Sequence, residues 1–221
     1  MVKIMSLNNY IQEKNNNVLQ YGDIKVLVKN YPPKNVSIDV VVKTVQNRIP
    51  KKLLLNVKMI CIGKFEELER RKIQGLYKDS ILYITNEQES NLDMLDDIIH
   101  EVAHSVEEIY HDQIYSDNLI KKEFLKKRKK LWSILKQKGI EGDLSLFLNT
   151  EFTHEFDNFL YSKVGYDIMY LYITDLFYSP YGATSLREYF ANGFEAFFMK
   201  QEVSRLKKVS PVLYSKLEQL I

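Results

Sequence analysis

The chain has 221 residues, a length that suits one domain of ordinary size or one domain with an added arm. Hydrophobic residues make up 45% of it and aromatic residues 12%, which is enough for a core and excludes a wholly disordered chain. The formal net charge of +2, from 31 basic and 29 acidic residues, excludes a whole-chain attraction to nucleic acid or to an anionic membrane.

The N-terminal sequence and the single cysteine are the features that indicate where in the cell the protein is located. Residues become polar from Asn8 onward without a preceding apolar core, so we see no secretory signal. We therefore expect a cytoplasmic protein, one delivered outside the cell by a non-classical route, or one whose leader has been removed. No stretch approaches about 18 apolar residues, so we expect no membrane span. Cys61 lies in an apolar run and should be buried; a lone cysteine excludes an internal disulfide.

The first elements alternate between strand and helix. Residues 1–20 are polar and rich in Asn, and we predict an N-terminal arm there. Residues 23–29 carry the β-branched alternation of a strand. Apolar residues then recur at helical spacing over residues 37–55, with Ser37 as the N-cap. Pro50 should kink or split this helix.

A second group of short elements follows. Residues 57–62 predict a strand, and residues 65–73 predict a charged helix. Residues 74–84 predict a hairpin whose turn lies around Lys78 and Asp79. We expect its second limb, residues 80–85, to form the edge of the sheet, where an extended peptide could add as a further strand.

Beyond residue 90 the pattern is almost entirely helical. Amphipathic spacing predicts helices over residues 92–109, 120–135, 186–198 and 203–220. A sheet followed by helices is typical of an α+β fold, so we expect a small, mostly antiparallel sheet plus helices.

Residues 121–130 hold the strongest charge run of the chain. Apolar residues interleave with the lysines, which predicts one amphipathic helix with a basic, solvated outer face. We interpret residues 112–150, which contain it, as an inserted helical hairpin.

The residues that indicate a chemistry are His100-Glu101-Val102-Ala103-His104. Two histidines four apart on a helix lie on one face, so both imidazoles can reach one metal ion. Glu101 directly follows His100, so its side chain is rotated by about 100° around the helix axis from that of His100. This position suits contact with a water on that ion. The pattern is typical of zinc proteases, with Glu101 as the general base.

Such a site needs a third ligand. The metzincin pattern would require Gly and His where the chain has Glu107 and Tyr110, and His111 misses the position by one. A carboxylate from another helix remains, either Glu188 or Glu195. These two are seven apart and share a helix face, so helical geometry alone does not separate them.

The run His-Glu-Val-Ala-His-Ser-Val-Glu-Glu from residue 100, followed by Tyr181 and by Arg-Glu-Tyr-Phe-Ala-Asn-Gly-Phe from residue 187, resembles the catalytic domain of anthrax lethal factor and the clostridial Pro-Pro endopeptidases. The resemblance implies a zincin-like metalloprotease domain over residues 21–221 with one Zn²⁺ per chain. It also implies that Glu188 is the third ligand. A tyrosine seven residues earlier assists catalysis in that family, which implies that Tyr181 donates a hydrogen bond to the developing oxyanion.

The chain departs from this family in two ways. Family members often carry an acidic residue four positions after the ligand glutamate, whereas this chain has Asn192, and that could weaken the orientation of the site. The stretch from His104 to Glu188 is also longer than usual in the family.

The sequence thus predicts a zinc-dependent endopeptidase, toxin-like or more general, that acts as a monomer on a protein or peptide substrate in extended conformation, with no nucleic-acid partner. One alternative is a zincin-fold binding or structural module, such as a toxin component or virion protein, with little or no proteolysis. Another is a zinc-independent interaction protein that presents the basic helix. No residue in the sequence indicates which peptide or protein is the substrate.

Overall fold

The computed structural model describes residues 18–200 and 203–221, and over these the protein has an α+β fold. The chain divides into two compact units, residues 1–105 and 106–221. The division falls inside one long helix. Most of the predicted N-terminal arm lies outside the described residues.

The first unit contains a five-stranded sheet. Its strands are β1 (Val18–Tyr21), β2 (Ile24–Val28), β3 (Met59–Ile62), β4 (Gly75–Lys78) and β5 (Ile81–Ile84). The strand order is β1-β2-β3-β5-β4. The prediction of an arm over residues 1–20 is therefore wrong for residues 18–20, which pair with β2 instead.

The sheet is mixed, and the prediction of a mostly antiparallel sheet is wrong. β1 with β2 and β4 with β5 are antiparallel, whereas β2 with β3 and β3 with β5 are parallel. The cause is the pair of connecting helices, α1 (Ile38–Arg48) and α2 (Glu66–Arg71), because a helix between two strands returns the chain in the same direction.

The predicted hairpin forms, but its edge was assigned wrongly. β5 lies between β3 and β4, so β4 is the edge strand. The turn residues Asp79 and Ser80 both have positive φ, 53° and 64°, which is the backbone of a tight two-residue hairpin turn. That turn leaves the other side of β5 open to pair with β3.

One face of the sheet packs a cluster made of Leu27, Cys61, Phe65, Leu68 and Tyr83. Cys61 is 1% exposed, as predicted, and burial raises the pKa of its thiol to about 12. This cysteine is therefore an inert part of the core.

The helix α1 begins at the cap that the sequence predicts. The Ser37 hydroxyl accepts a hydrogen bond from the Val40 N–H, and after α1 the chain continues beyond Pro50 as a 3₁₀ turn, Lys51–Leu54. A long helix, α3 (Asn91–Tyr115), then runs from the first unit into the second. It is kinked at Tyr110, where φ is −101° and ψ is 18°.

The second unit is helical throughout its described residues. Its α-helices after α3 are α4 (Leu119–Gln137), α5 (Leu144–Leu148), α6 (His154–Asn158), α7 (Tyr166–Ile173), α8 (Leu186–Met199), α9 (Val203–Val209) and α10 (Pro211–Leu220). Its core is rich in phenylalanine: Phe124, Phe147, Phe156, Phe177, Phe190 and Phe194 are fully buried. The assignment of residues 112–150 as an insertion stays a prediction.

The basic helix α4 differs from the prediction of a solvated cationic face. Lys127 and Arg128 are 7% and 0% exposed, and both cations lie against aromatic rings of the core. The other five basic residues of the run are exposed, as predicted: Lys121, Lys122, Lys126, Lys129 and Lys130. The charge run thus contains two buried positions that helical periodicity alone did not distinguish.

Within the described residues, no helix is both long enough and apolar enough to span a membrane, in agreement with the sequence prediction.

Candidate metal centre

The helix α3 holds the first two candidate ligands. Its apolar face is completely buried at Ile98, Ile99 and Val102, which fixes the rotation of the helix about its axis. His100 and His104 lie one turn apart beside this face, with ring centroids 5.1 Å apart and planes at 81°. Both imidazoles can therefore reach a common point, as the four-residue spacing predicts.

Glu101 lies against the edge strand β4. Its Oε2 accepts a hydrogen bond of 2.6 Å from the backbone N–H of Tyr77, and the residue is only 7% exposed. A Cβ added to Gly75 would lie 2.7 Å from both Cγ and Oε1 of Glu101. Gly75 thus provides the space that this carboxylate occupies.

Glu188 lies in the first turn of α8. Its backbone N–H donates to the side-chain oxygen of Ser185, the N-cap, at 3.1 Å. The N-terminus of a helix favours negative charge because its unpaired N–H groups point toward it. The cap therefore determines where the helix begins and which residue occupies this favourable position.

One ligand atom from each of His100, His104 and Glu188 lies within 4.8 Å of the others, so this group could hold a metal ion. His104 is buried and the other two side chains are half-buried. Glu195, the alternative carboxylate, does not belong to the group, nor does Glu101. The geometry brings together the three residues that the sequence predicted as ligands.

Next to Glu188, Arg187 joins a polar chain that sequence reasoning missed. Its Nε lies 3.1 Å from Oε2 of Glu107, and Oε1 of Glu107 accepts a hydrogen bond of 2.6 Å from the Tyr115 hydroxyl. Burial raises the pKa of Glu107, and the Tyr115 and Arg187 bonds oppose that rise. Glu107 follows His104 by three residues on α3, so its position on the same helix face was the available signal.

Tyr181 begins a 3₁₀ turn, Tyr181–Ala183, that leads into α8. Its carbonyl accepts hydrogen bonds from the N–H and the hydroxyl of Thr184, at 2.9 and 2.7 Å. The side chain is half-buried. The assignment of Tyr181 as an oxyanion donor stays a prediction.

Asn192, the departure from the family pattern, supports the same turn. Its Oδ1 accepts a hydrogen bond from the Ser179 hydroxyl, and the Ser179 oxygen in turn accepts from the N–H of Gly182 at 3.3 Å. A Cβ at Gly182 would lie 2.9 Å from Oδ1 of Asn192. An amide here ties α8 to the turn that carries Tyr181.

Comparisons of the chain with protein-family models, with curated proteins and with solved structures found no match. The class that can be stated from the structure is an α+β protein with a small mixed sheet and a two-histidine, one-glutamate cluster. The resemblance to the lethal factor family therefore stays a prediction from the two short sequence motifs.

Proposed function

We propose that the chain is a zinc-dependent endopeptidase of the zincin type, similar to the lethal factor and Pro-Pro endopeptidase family. The observation that supports it is the grouping of His100, His104 and Glu188 with ligand atoms within 4.8 Å of one another.

The donor set fits zinc. Two imidazole nitrogens and one carboxylate oxygen are a common ligand set of catalytic zinc sites. Three such ligands, each about 2.0–2.1 Å from a tetrahedral ion, would lie about 3.4 Å from one another. The ligand atoms, all within 4.8 Å of one another, would need to approach by up to about 1.4 Å to reach that value.

His100, His104 and Glu188 would hold the zinc ion, and the bound ion would supply polarisation of a carbonyl and a water of lowered pKa. Glu101 is the residue of the chain that would transfer the proton. Because the Tyr77 N–H bonds its Oε2, the carboxylate keeps one orientation and its Oε1 can accept the proton of the attacking water. The same carboxyl group then passes this proton to the leaving amine.

Tyr181 is the proposed donor to the oxygen of the scissile carbonyl. A donor fixed before the reaction stabilises developing negative charge at no reorganisation cost. The hydrogen bonds within its 3₁₀ turn, together with the bond between Asn192 and Ser179, limit the movement of the backbone that presents it.

The edge strand β4 is the proposed place for the substrate backbone. Within the described sheet, β4 is an end strand that pairs with β5 on one side, and Glu101 accepts from the Tyr77 N–H of this strand. An extended peptide could add to the sheet beside β4 as a further strand. This replaces the expectation that residues 80–85 would receive the substrate.

The test is a peptide library incubated with zinc-loaded protein and with a Glu101→Gln variant, which keeps the size of the side chain and removes the base. We expect cleavage by the wild type and at least about a hundredfold slower cleavage by the variant, with zinc retained by both. Equal cleavage by both proteins would refute Glu101 as the base. No cleavage by the zinc-loaded wild type would favour the binding or structural module instead.

A further inference from the structure

Arg128 is a cation enclosed in the aromatic core of the second unit. It is 0% exposed, and its guanidinium carbon lies 3.7 Å from the ring centre of Phe156 and 5.2 Å from that of Phe124. Burial lowers its pKa to about 9, with no acidic side chain of the described residues opposing the shift, so the group is still protonated at neutral pH. A buried charge of this kind is costly unless its hydrogen bonds are strong.

Backbone carbonyls take the place of a carboxylate. Nη1 donates to the oxygens of Ala183 and Thr184, at 2.5 and 3.1 Å, and Nη2 donates to those of Leu146 and Asn149, at 2.6 and 3.3 Å. Hydrogen bonds from a charged donor are about twice as strong as neutral ones. One planar guanidinium group thus links the segment of residues 183–184 to the segment of residues 146–149.

The first of these segments is the connection between the two functional side chains of the second unit. Ala183 ends the turn that begins with Tyr181, and Thr184 precedes Ser185, the N-cap of the helix that carries Glu188. The carbonyls that Arg128 holds therefore lie midway between the proposed oxyanion donor and the proposed third ligand.

A second contact supports the same attachment. The N–H of Leu186 donates to the carbonyl of Thr150 at 2.8 Å, one residue beyond Asn149. The start of α8 is thereby bound to the segment that the Nη2 side of Arg128 holds. Loss of the guanidinium would release the carbonyls of Ala183 and Thr184 at the centre of this connection, while the bond between Leu186 and Thr150 would remain.

We propose that Arg128 is a positioning residue of the metal centre, which sets the zinc affinity by fixing the backbone between Tyr181 and Glu188. This inference rests on the proposed function. A metal ligand must be held within about 0.5 Å of its productive position, and partners that orient ligands contribute about 10–100-fold to metal affinity. Arg128 touches neither zinc nor substrate and acts through the backbone alone.

The neighbouring residue offers a matched control. Lys127 is also a buried cation on α4, but its Nζ donates to the carbonyl of Val209 and the hydroxyl of Ser210, at 2.8 and 2.7 Å. Lys127→Met therefore perturbs the same core without touching the turn. Arg128→Lys keeps the charge but replaces the guanidinium with one nitrogen, which cannot serve both carbonyl pairs at these distances.

The experiment measures zinc affinity by competition with a chromophoric chelator, at a temperature where both variants are at least about 95% folded. We expect Arg128→Lys to bind zinc about 10–100-fold more weakly than the wild type and Lys127→Met to stay within about twofold. Phe156→Leu, which removes the ring stacked on the guanidinium, should give a smaller loss in the same direction and serves if Arg128→Lys does not fold.

A second measurement separates this inference from the proposed function. Amide hydrogen exchange of the zinc-free proteins should be at least about tenfold faster over residues 182–188 in Arg128→Lys than in Lys127→Met. A wild type that binds no zinc would refute the proposed function and the zinc role of Arg128 together. The exchange rates would then show only whether Arg128 restrains the backbone of residues 182–188. Zinc binding by the wild type with equal affinity in both variants would overturn the inference and leave the proposed function standing. Equal exchange rates in the two variants would show that Arg128 does not restrain the backbone of residues 182–188.

Discussion

Glu101 accepts a hydrogen bond from the backbone N–H of Tyr77, 2.6 Å away, so the predicted general base is attached to the edge strand of the sheet. Its position is thus determined by two elements, the helix α3 that carries it and the strand β4 that orients its carboxylate. If a substrate strand pairs with β4, the base and the substrate backbone share one support.

This attachment predicts the effect of a methyl group at Gly75. In Gly75→Ala the new Cβ would lie 2.7 Å from Oε1 of Glu101, so the carboxylate must move away from the strand. We expect turnover of a cleavable peptide to fall about tenfold or more while zinc remains bound. Lys78→Ala, an exposed position on the same strand, is the control and should leave turnover within about twofold. An unchanged rate in Gly75→Ala would show that the observed carboxylate position is not the reactive one.

Tyr181→Phe tests the proposed oxyanion donor. Removal of one fixed donor typically costs about 10²–10³ in kcat. We expect a loss of that size with unchanged zinc content, because the hydroxyl is not among the grouped ligands. Tyr178→Phe, three residues earlier, should keep its rate, and full activity of Tyr181→Phe would remove this tyrosine from the mechanism.

Glu123 provides a prediction about stability that is independent of catalysis. Its carboxylate accepts hydrogen bonds from the N–H groups of Val212 and Leu213 at the start of α10 and from the Tyr189 hydroxyl. Pro211 has no N–H of its own, so Glu123 caps this helix from another one. Glu123→Ala should lower the free energy of unfolding by about 2–3 kcal/mol in urea. Lys121→Ala on the exposed side of α4 should change it by less than about 0.5 kcal/mol.

The buried amine of Lys127 should make the free energy of unfolding depend on pH. Burial lowers the pKa of its amine from 10.5 to about 8, so the unfolded chain binds the proton more tightly than the folded one. Stability must therefore rise with pH between about 8 and 10.5. The difference in unfolding free energy between wild type and Lys127→Met should shift by about 2 kcal/mol in favour of the wild type from pH 7.5 to 9.5. A pH-independent difference would mean that the amine keeps its ordinary pKa in the fold.

Local signals in the sequence predicted the helices well. The cap at Ser37, the break at Pro50, the hairpin at residues 74–84 and the helix of residues 186–198 all follow from turn chemistry and periodicity, and the structure confirms them. The grouping of both histidines with Glu188 follows from helical spacing together with the family resemblance. Short-range rules suffice there because each feature depends on neighbours in the chain.

Pairing between distant elements was predicted less well. The helix between β2 and β3 favours a parallel pair, whereas the order of a sheet followed by helices led to the expectation of a mostly antiparallel sheet. β1 was missed because its four residues directly follow a polar, Asn-rich stretch and are too few to show a strand pattern before they pair with β2. The buried positions of Lys127 and Arg128 depend on carbonyls of residues 183–184 and 209, which no pattern within α4 reveals.

The central claim is that His100, His104 and Glu188 hold one zinc ion. The most direct test is the zinc content and dissociation constant of purified wild type, His104→Ala, Glu188→Ala and Glu195→Ala, measured by elemental analysis and chelator competition. We predict one zinc per chain in the wild type and in Glu195→Ala, with zinc lost from the other two variants. A wild type without zinc, or a Glu188→Ala variant that binds it as tightly as the wild type, would contradict the claim.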